Sequence, residues 1–112
     1  MGLNREAYDY AYNQAKKDLV ELNNKKAYYE NKCNNVSKLI KEFNKNPKTQ
    51  AYISVRTTEN NTEIPLTKDD LTELRGYYLK QQKDYTNYIA NKEKEIRYYE
   101  DLFKSDKDEM ER

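Results

Sequence analysis

Tyr52, Ser54 and Arg56 are the side chains of this 112-residue chain whose types and spacing come nearest to a recognition chemistry. They alternate along the chain, so a strand would put all three on one face. Arg beside Tyr can stack on a base or hold a phosphate, which keeps a small nucleotide ligand open. An ordinary solvent face, with Arg56 beside Glu63, accounts for the same residues without a ligand.

Catalytic chemistry finds less to work with. There is no His, which removes the usual general base and the usual zinc or iron ligand. Cys33 is the only cysteine, too few for a metal cluster or an internal disulfide, and it lacks an imidazole to activate it. The two glycines, Gly2 and Gly76, cannot build a phosphate-cradling loop. Asp69-Asp70 and Glu100-Asp101 are adjacent, and neighbours in a helix point about 100° apart instead of converging on a metal. We expect no catalytic residue, no metal ligand and no cofactor.

The elements that must position any site are long and polar. Charged residues make up 37% and hydrophobic residues 36%, with a mean hydropathy of -1.33, the profile of long helices more than of a compact globule. A net charge of +1 argues against general nucleic-acid binding. The charge is divided: residues 1–48 carry ten Lys and Arg against six Asp and Glu, and residues 49–112 carry eleven against fourteen. Halves of opposite sign can fold onto each other. No apolar run suits a signal peptide or a membrane span, so a cytoplasmic location is expected.

From Tyr8 onward the first segment keeps strict four-three spacing through Tyr12, Ala15, Leu19, Leu22, Lys26, Tyr29, Cys33, Val36, Ile40 and Phe43. A seven-residue repeat held this long is a coiled-coil seam. It predicts a helix over 4–45, capped by Asn4 and stopped by Asn44-Lys45-Asn46-Pro47, with Asn as a left-handed cap. Lys26 breaks the seam, either as a snorkelling side chain or as a polar layer that fixes register.

The second segment predicts a helix over 68–110, with Thr67 as its cap and Asp69 and Asp70 in the first turn. One seven-residue series runs through Leu71, Tyr78, Tyr85 and Tyr99 and lapses at Lys92. Another runs through Ile89, Ile96, Phe103 and Met110 and lapses at Arg75 and Gln82. Leu74, Tyr88 and Leu102 are expected to widen the stripe. The acidic stretch after Phe103 predicts fraying unless basic turns lie alongside. Gly76 is either a tolerated defect or a place where another backbone comes close.

Between the helices, 50–66 reads as a β-hairpin. A two-residue turn at Asn60-Asn61 would set Val55 opposite Leu66, Thr57 opposite Ile64 and Pro65 opposite Arg56, with Ile53, Val55, Ile64 and Leu66 on one face. Pro65 would blunt one sheet edge.

The chain is thus read as a single domain, 1–112: a mainly α, antiparallel two-helix coiled-coil hairpin with a two-stranded β-hairpin inserted between the helices. Opposed charges at the two ends favour the antiparallel fold. A two-helix hairpin has a seam but no interior, and a lone β-hairpin is marginal in water. Tyr10, Tyr28, Tyr77 and Tyr98 lie off the seams, and tyrosine is favoured at interfaces. These features predict a non-enzymatic module that oligomerises or binds a partner protein. A small phage-type inhibitor that sequesters a host defence factor or nucleotide signal is the alternative.

In layout the chain is similar to a β-type prefoldin subunit, with two long helices joined by one β-hairpin. The resemblance implies a chaperone subunit whose hairpins assemble while the helix tips hold unfolded clients. In size it is similar to the helical-hairpin partners of the WXG type, but it has no Trp.

Overall fold

The computed structural model describes residues 4–56 and 60–111; for Ile53, Val55, Arg56 and residues 106–111 it describes the backbone alone. Helix α1 (Arg5–Lys45) is followed by strands β1 (Ala51–Arg56) and β2 (Asn61–Leu66), then by helix α2 (Lys68–Glu111). The fold is mainly helical, with the two long helices packed against each other and an antiparallel β-hairpin between them.

Side-chain oxygens set the helix starts. Asn4 accepts a hydrogen bond from the Ala7 amide at 3.3 Å. At α2 the bonds are reciprocal. The Asp70 amide donates to Thr67 Oγ1 at 3.1 Å, and the Thr67 amide donates to Asp70 Oδ2 at 2.9 Å. This is a capping box in which Asp does the work of the usual Glu or Gln. The end of α1 differs from expectation. No described residue has a positive φ, so Asn46 is not a left-handed cap. Its side chain instead accepts the Lys48 amide at 3.0 Å, and the chain turns at Pro47-Lys48.

Both seams form. All eleven α1 positions from Tyr8 to Phe43 are buried or half-buried. In α2 the two seven-residue series merge into one four-three seam, because Arg75, Gln82 and Lys92 are themselves half-buried in it. Leu74 and Leu102 widen the stripe, but Tyr88 does not: it is exposed, with its ring edge-on to Tyr85. Past Phe103 the helix continues to Glu111, beyond the point at which the sequence predicts fraying. Gly76 is exposed, and a Cβ there would meet nothing within 4 Å. No neighbour among the described residues explains a residue that costs the helix roughly 1 kcal/mol relative to Ala.

The chain divides into two compact units, each taking part of both helices: residues 1–27 with 83–112, and residues 28–82. In the second, Leu71 is fully buried against Val36 and Ile40, with Leu39, Phe43, Leu66, Leu74 and Tyr78 packed around them. In the first, the buried residues among those described are Ala15, Ile89 and Ile96, with rings packed along the same seam. Tyr12 meets Phe103 edge-on at 5.4 Å, and Tyr8 meets Tyr99 at 6.2 Å. In each unit the helix partners run antiparallel: early residues of α1 meet late residues of α2 in the first, and late residues of α1 meet early residues of α2 in the second.

The hairpin forms in a different register from the expected one. Ala51 pairs with Leu66, Ile53 with Ile64, Val55 with Thr62 and Arg56 with Asn61. Asn61 belongs to β2, and neither Asn60 nor Asn61 has the positive φ that a type I′ turn requires. A two-residue turn would have left Ala51 to Ser54 without partners, whereas the longer connection lets all six residues of each strand pair. The expected contact of Thr57 falls outside the described residues. Pro65 stands opposite Tyr52, not Arg56, and Glu63 stands opposite Ser54. The displacement is even, so the alternation of faces is unchanged. Ala51 is buried and Leu66 half-buried at the base of the hairpin, while Ile64, two residues towards the tip, is 44% exposed. The base of the hairpin caps the helical core, and Ile64 is left outside it.

Candidate protein-interaction surface

The capping box at Thr67 and Asp70 fixes the angle at which β2 runs into α2. Beside that junction lies an open groove of about 510 Å³, lined by Ile64, Pro65 and Leu66 from β2 and Asp70, Glu73, Leu74 and Tyr77 from α2. Ile64, Pro65, Leu66 and Leu74 make most of its lining apolar. Its rim is acidic. One Asp70 oxygen is committed to the Thr67 amide, while Glu73 makes no hydrogen bond or ion pair among the described residues. Tyr77, also in the lining, is 50% exposed.

Tyr77 also belongs to a ring cluster. Half-buried Tyr29 meets Tyr28 at 5.2 Å, Tyr77 at 6.4 Å and Tyr78 at 6.2 Å. The first two pairs are edge-to-face and the third is tilted, and rings at these distances attract one another beyond their area of contact. The structure thus brings two of the four tyrosines expected at an interface, Tyr28 and Tyr77, onto one half-buried ring. In the other unit Tyr98 stands edge-on to Tyr99, and Tyr10 lines a shallow hollow with Asn4, Glu6 and Ala7. Among the described residues Tyr10 is the most exposed large hydrophobic side chain, at 74%.

The hairpin face is less of a site than its residue types suggest. Tyr52 is half-exposed, and its hydroxyl donates to Gln50 Oε1 at 2.9 Å. Ser54 is exposed across from Glu63, and the Arg56 side chain lies outside the described residues.

A polar layer crosses the seam of the first unit. Lys92 donates to Glu95 Oε2 at 2.8 Å and lies 3.6 Å from Asp18 Oδ2 on α1. The Tyr99 hydroxyl donates to the other Glu95 oxygen at 3.4 Å. The bond to Glu95, with the charges of Glu95 and Asp18, raises the Lys92 pKa against the opposing cost of desolvation. Burial raises the Tyr99 pKa, and Glu95 adds to the effect. Lys92 is a gap in the sequence pattern, and only Glu95 three residues on hints that the gap is bridged. At the other break, Lys26 is half-buried with no polar partner among the described residues, as a snorkelling stem would be.

The opposed-charge pairing predicted from sequence is thin. Lys38, Lys41, Lys45 and Lys48 make no ion pair among the described residues, and Lys16 lies over the Tyr12 ring. Arg5 pairs with Asp9 and places its guanidinium 3.9 Å from the Phe103 ring centre, a basic residue beside the acidic end of α2. Asp106 is described only in its backbone. Long solvated side chains gain too little from an exposed pair to be held in one.

Among the described residues no group of three or more His, Cys, Asp or Glu is placed to hold a metal, and no helix is long and apolar enough to cross a membrane. No family model, curated protein or solved structure matches the chain.

Proposed function

We propose that this chain is a non-enzymatic helical-hairpin module that oligomerises or binds a partner protein. The observation that carries the reading is the placement of its large side chains. Tyr10, Tyr28, Tyr77, Leu79, Tyr88 and Tyr98 are each at least half exposed on helix faces the seam does not use. Tyrosine and leucine held on a rigid helix give contact area at low entropic cost, and aromatic anchors dominate protein interfaces. The largely apolar, acidic-rimmed groove beside Tyr77 adds a concave surface to this set.

Light scattering on the purified chain, together with affinity capture, tests the proposal. Replacing Tyr28 and Tyr77 by Ser should lower the assembled mass or release the captured protein, with helical content unchanged. A monomer at tens of micromolar that captures no protein would overturn it.

A further inference from the structure

We propose that α2 carries a self-complementary face centred on Gly76, through which two copies of the chain pair with their α2 helices antiparallel. The inference deepens the oligomerising arm of the function proposed above and rests on it.

The face is set by helix geometry. At 3.6 residues per turn, Asp69, Thr72, Glu73, Leu79 and Lys80 all project within about 60° of the direction of Gly76. Leu71 and Tyr78, which pack against α1, project from the opposite side. All six residues of the face are exposed, and Leu79 is 51% exposed. At its centre Gly76 presents bare backbone: apart from its own turn of helix, no described residue comes within 4 Å of where a Cβ would be. A second helix can therefore come closer here than it could over a side chain.

The charges then select the partner. The face is acidic before Gly76 and basic after it. A two-fold axis at Gly76 maps each residue to the same lateral side of its neighbour with the helix direction reversed. Glu73 of one copy then falls about 1.5 Å along the axis from Lys80 of the other, and the reciprocal pair forms by symmetry. On the other side Leu79 meets Thr72 in the same way. The Thr72 hydroxyl already donates to the Lys68 carbonyl at 2.9 Å, so its methyl is free for that contact. Neither Glu73 nor Lys80 has an ion pair within its own chain among the described residues. Opposite charge at matched height on both halves is a property a second copy satisfies and an unrelated helix has no reason to share.

Sedimentation equilibrium from micromolar to submillimolar concentration tests the interface. Glu73→Lys and Lys80→Glu should each weaken self-association by about tenfold or more, because each sets like charges together twice. An equimolar mixture of the two variants should recover it, since every pair is then opposite again. The double variant should also associate like the unaltered chain. Gly76→Gln should weaken association while raising the melting temperature of the dilute protein, as a better helix former would. A chain that is monomeric throughout would overturn both this interface and self-association. A chain that associates, but whose variants associate equally well or whose mixture does not recover, would overturn this interface alone.

Discussion

Two leucines on one helix, Leu71 and Leu79, provide the sharpest test of how the chain is held together. Leu71 is 0% exposed in the cluster with Val36 and Ile40, and Leu79 is 51% exposed on the opposite face. Leu71→Ala removes three carbons from a site sealed on every side. At about 0.8 kcal/mol per buried methylene-sized group, the transfer loss is about 2.4 kcal/mol. A residual cavity adds to this. The flanks of a two-helix layer can close partly around it, so the total should be about 3 kcal/mol, inside the usual 2–5 kcal/mol range. Leu79→Ala, measured in dilute protein, should stay within about 0.5 kcal/mol of zero. Urea unfolding followed by helical circular dichroism measures both, and a similar slope for the two variants shows that the unfolded state has not changed. If Leu71→Ala costs less than about 1 kcal/mol, or if both substitutions cost the same, the seam assigned to α2 is wrong.

Three further outcomes follow from the same contacts. Lys92 and Tyr99 both have folded pKa values above their unfolded ones. Their contribution is complete below about pH 10 and is lost as pH rises through the raised values, because the unfolded chain then sheds protons first. Melting temperature should therefore fall more steeply above pH 10 in the unaltered chain than in a Lys92→Met, Tyr99→Phe variant, and equal slopes would count against the polar layer. Thr67→Ala removes one half of the capping box and should cost about 1 kcal/mol in chemical unfolding, with Thr67→Ser retaining most of the stability. Lys26→Leu puts an apolar side chain into a seam position where Lys has no polar partner, and should raise the urea midpoint; a lower midpoint would show that Lys26 serves as a polar layer.

Much of the architecture was legible because helices and their seams are local. The four-three spacing from Tyr8 to Phe43 needs no knowledge of the partner to be read as a buried stripe. Thr67 and Asp70 are close enough in sequence to announce a cap. The exposure of Tyr10, Tyr28, Tyr77 and Tyr98 follows from the same arithmetic, since a residue off the seam points away from it. What sequence spacing missed are features that depend on two segments meeting. The groove needs Pro65 and Leu66 brought beside Leu74 and Tyr77. The polar layer needs Asp18 to arrive beside Lys92. The ring cluster needs Tyr29 to meet Tyr77 and Tyr78.

Sequence alone determined that this chain makes two long helices and a hairpin, where the helices begin, and which faces they bury. Periodicity and capping act over a few residues, and the polar composition leaves no competing core. Only the tertiary structure decided the register of the hairpin. Asn60-Asn61 and Pro65 allow more than one even displacement of the strands, all with the same alternation of faces. Seating Leu66, the partner of Ala51, against the core of Val36, Ile40 and Leu71 selects among them. The tertiary structure also showed that, among the described residues, no other segment packs over Gly76, which spacing along one helix cannot tell.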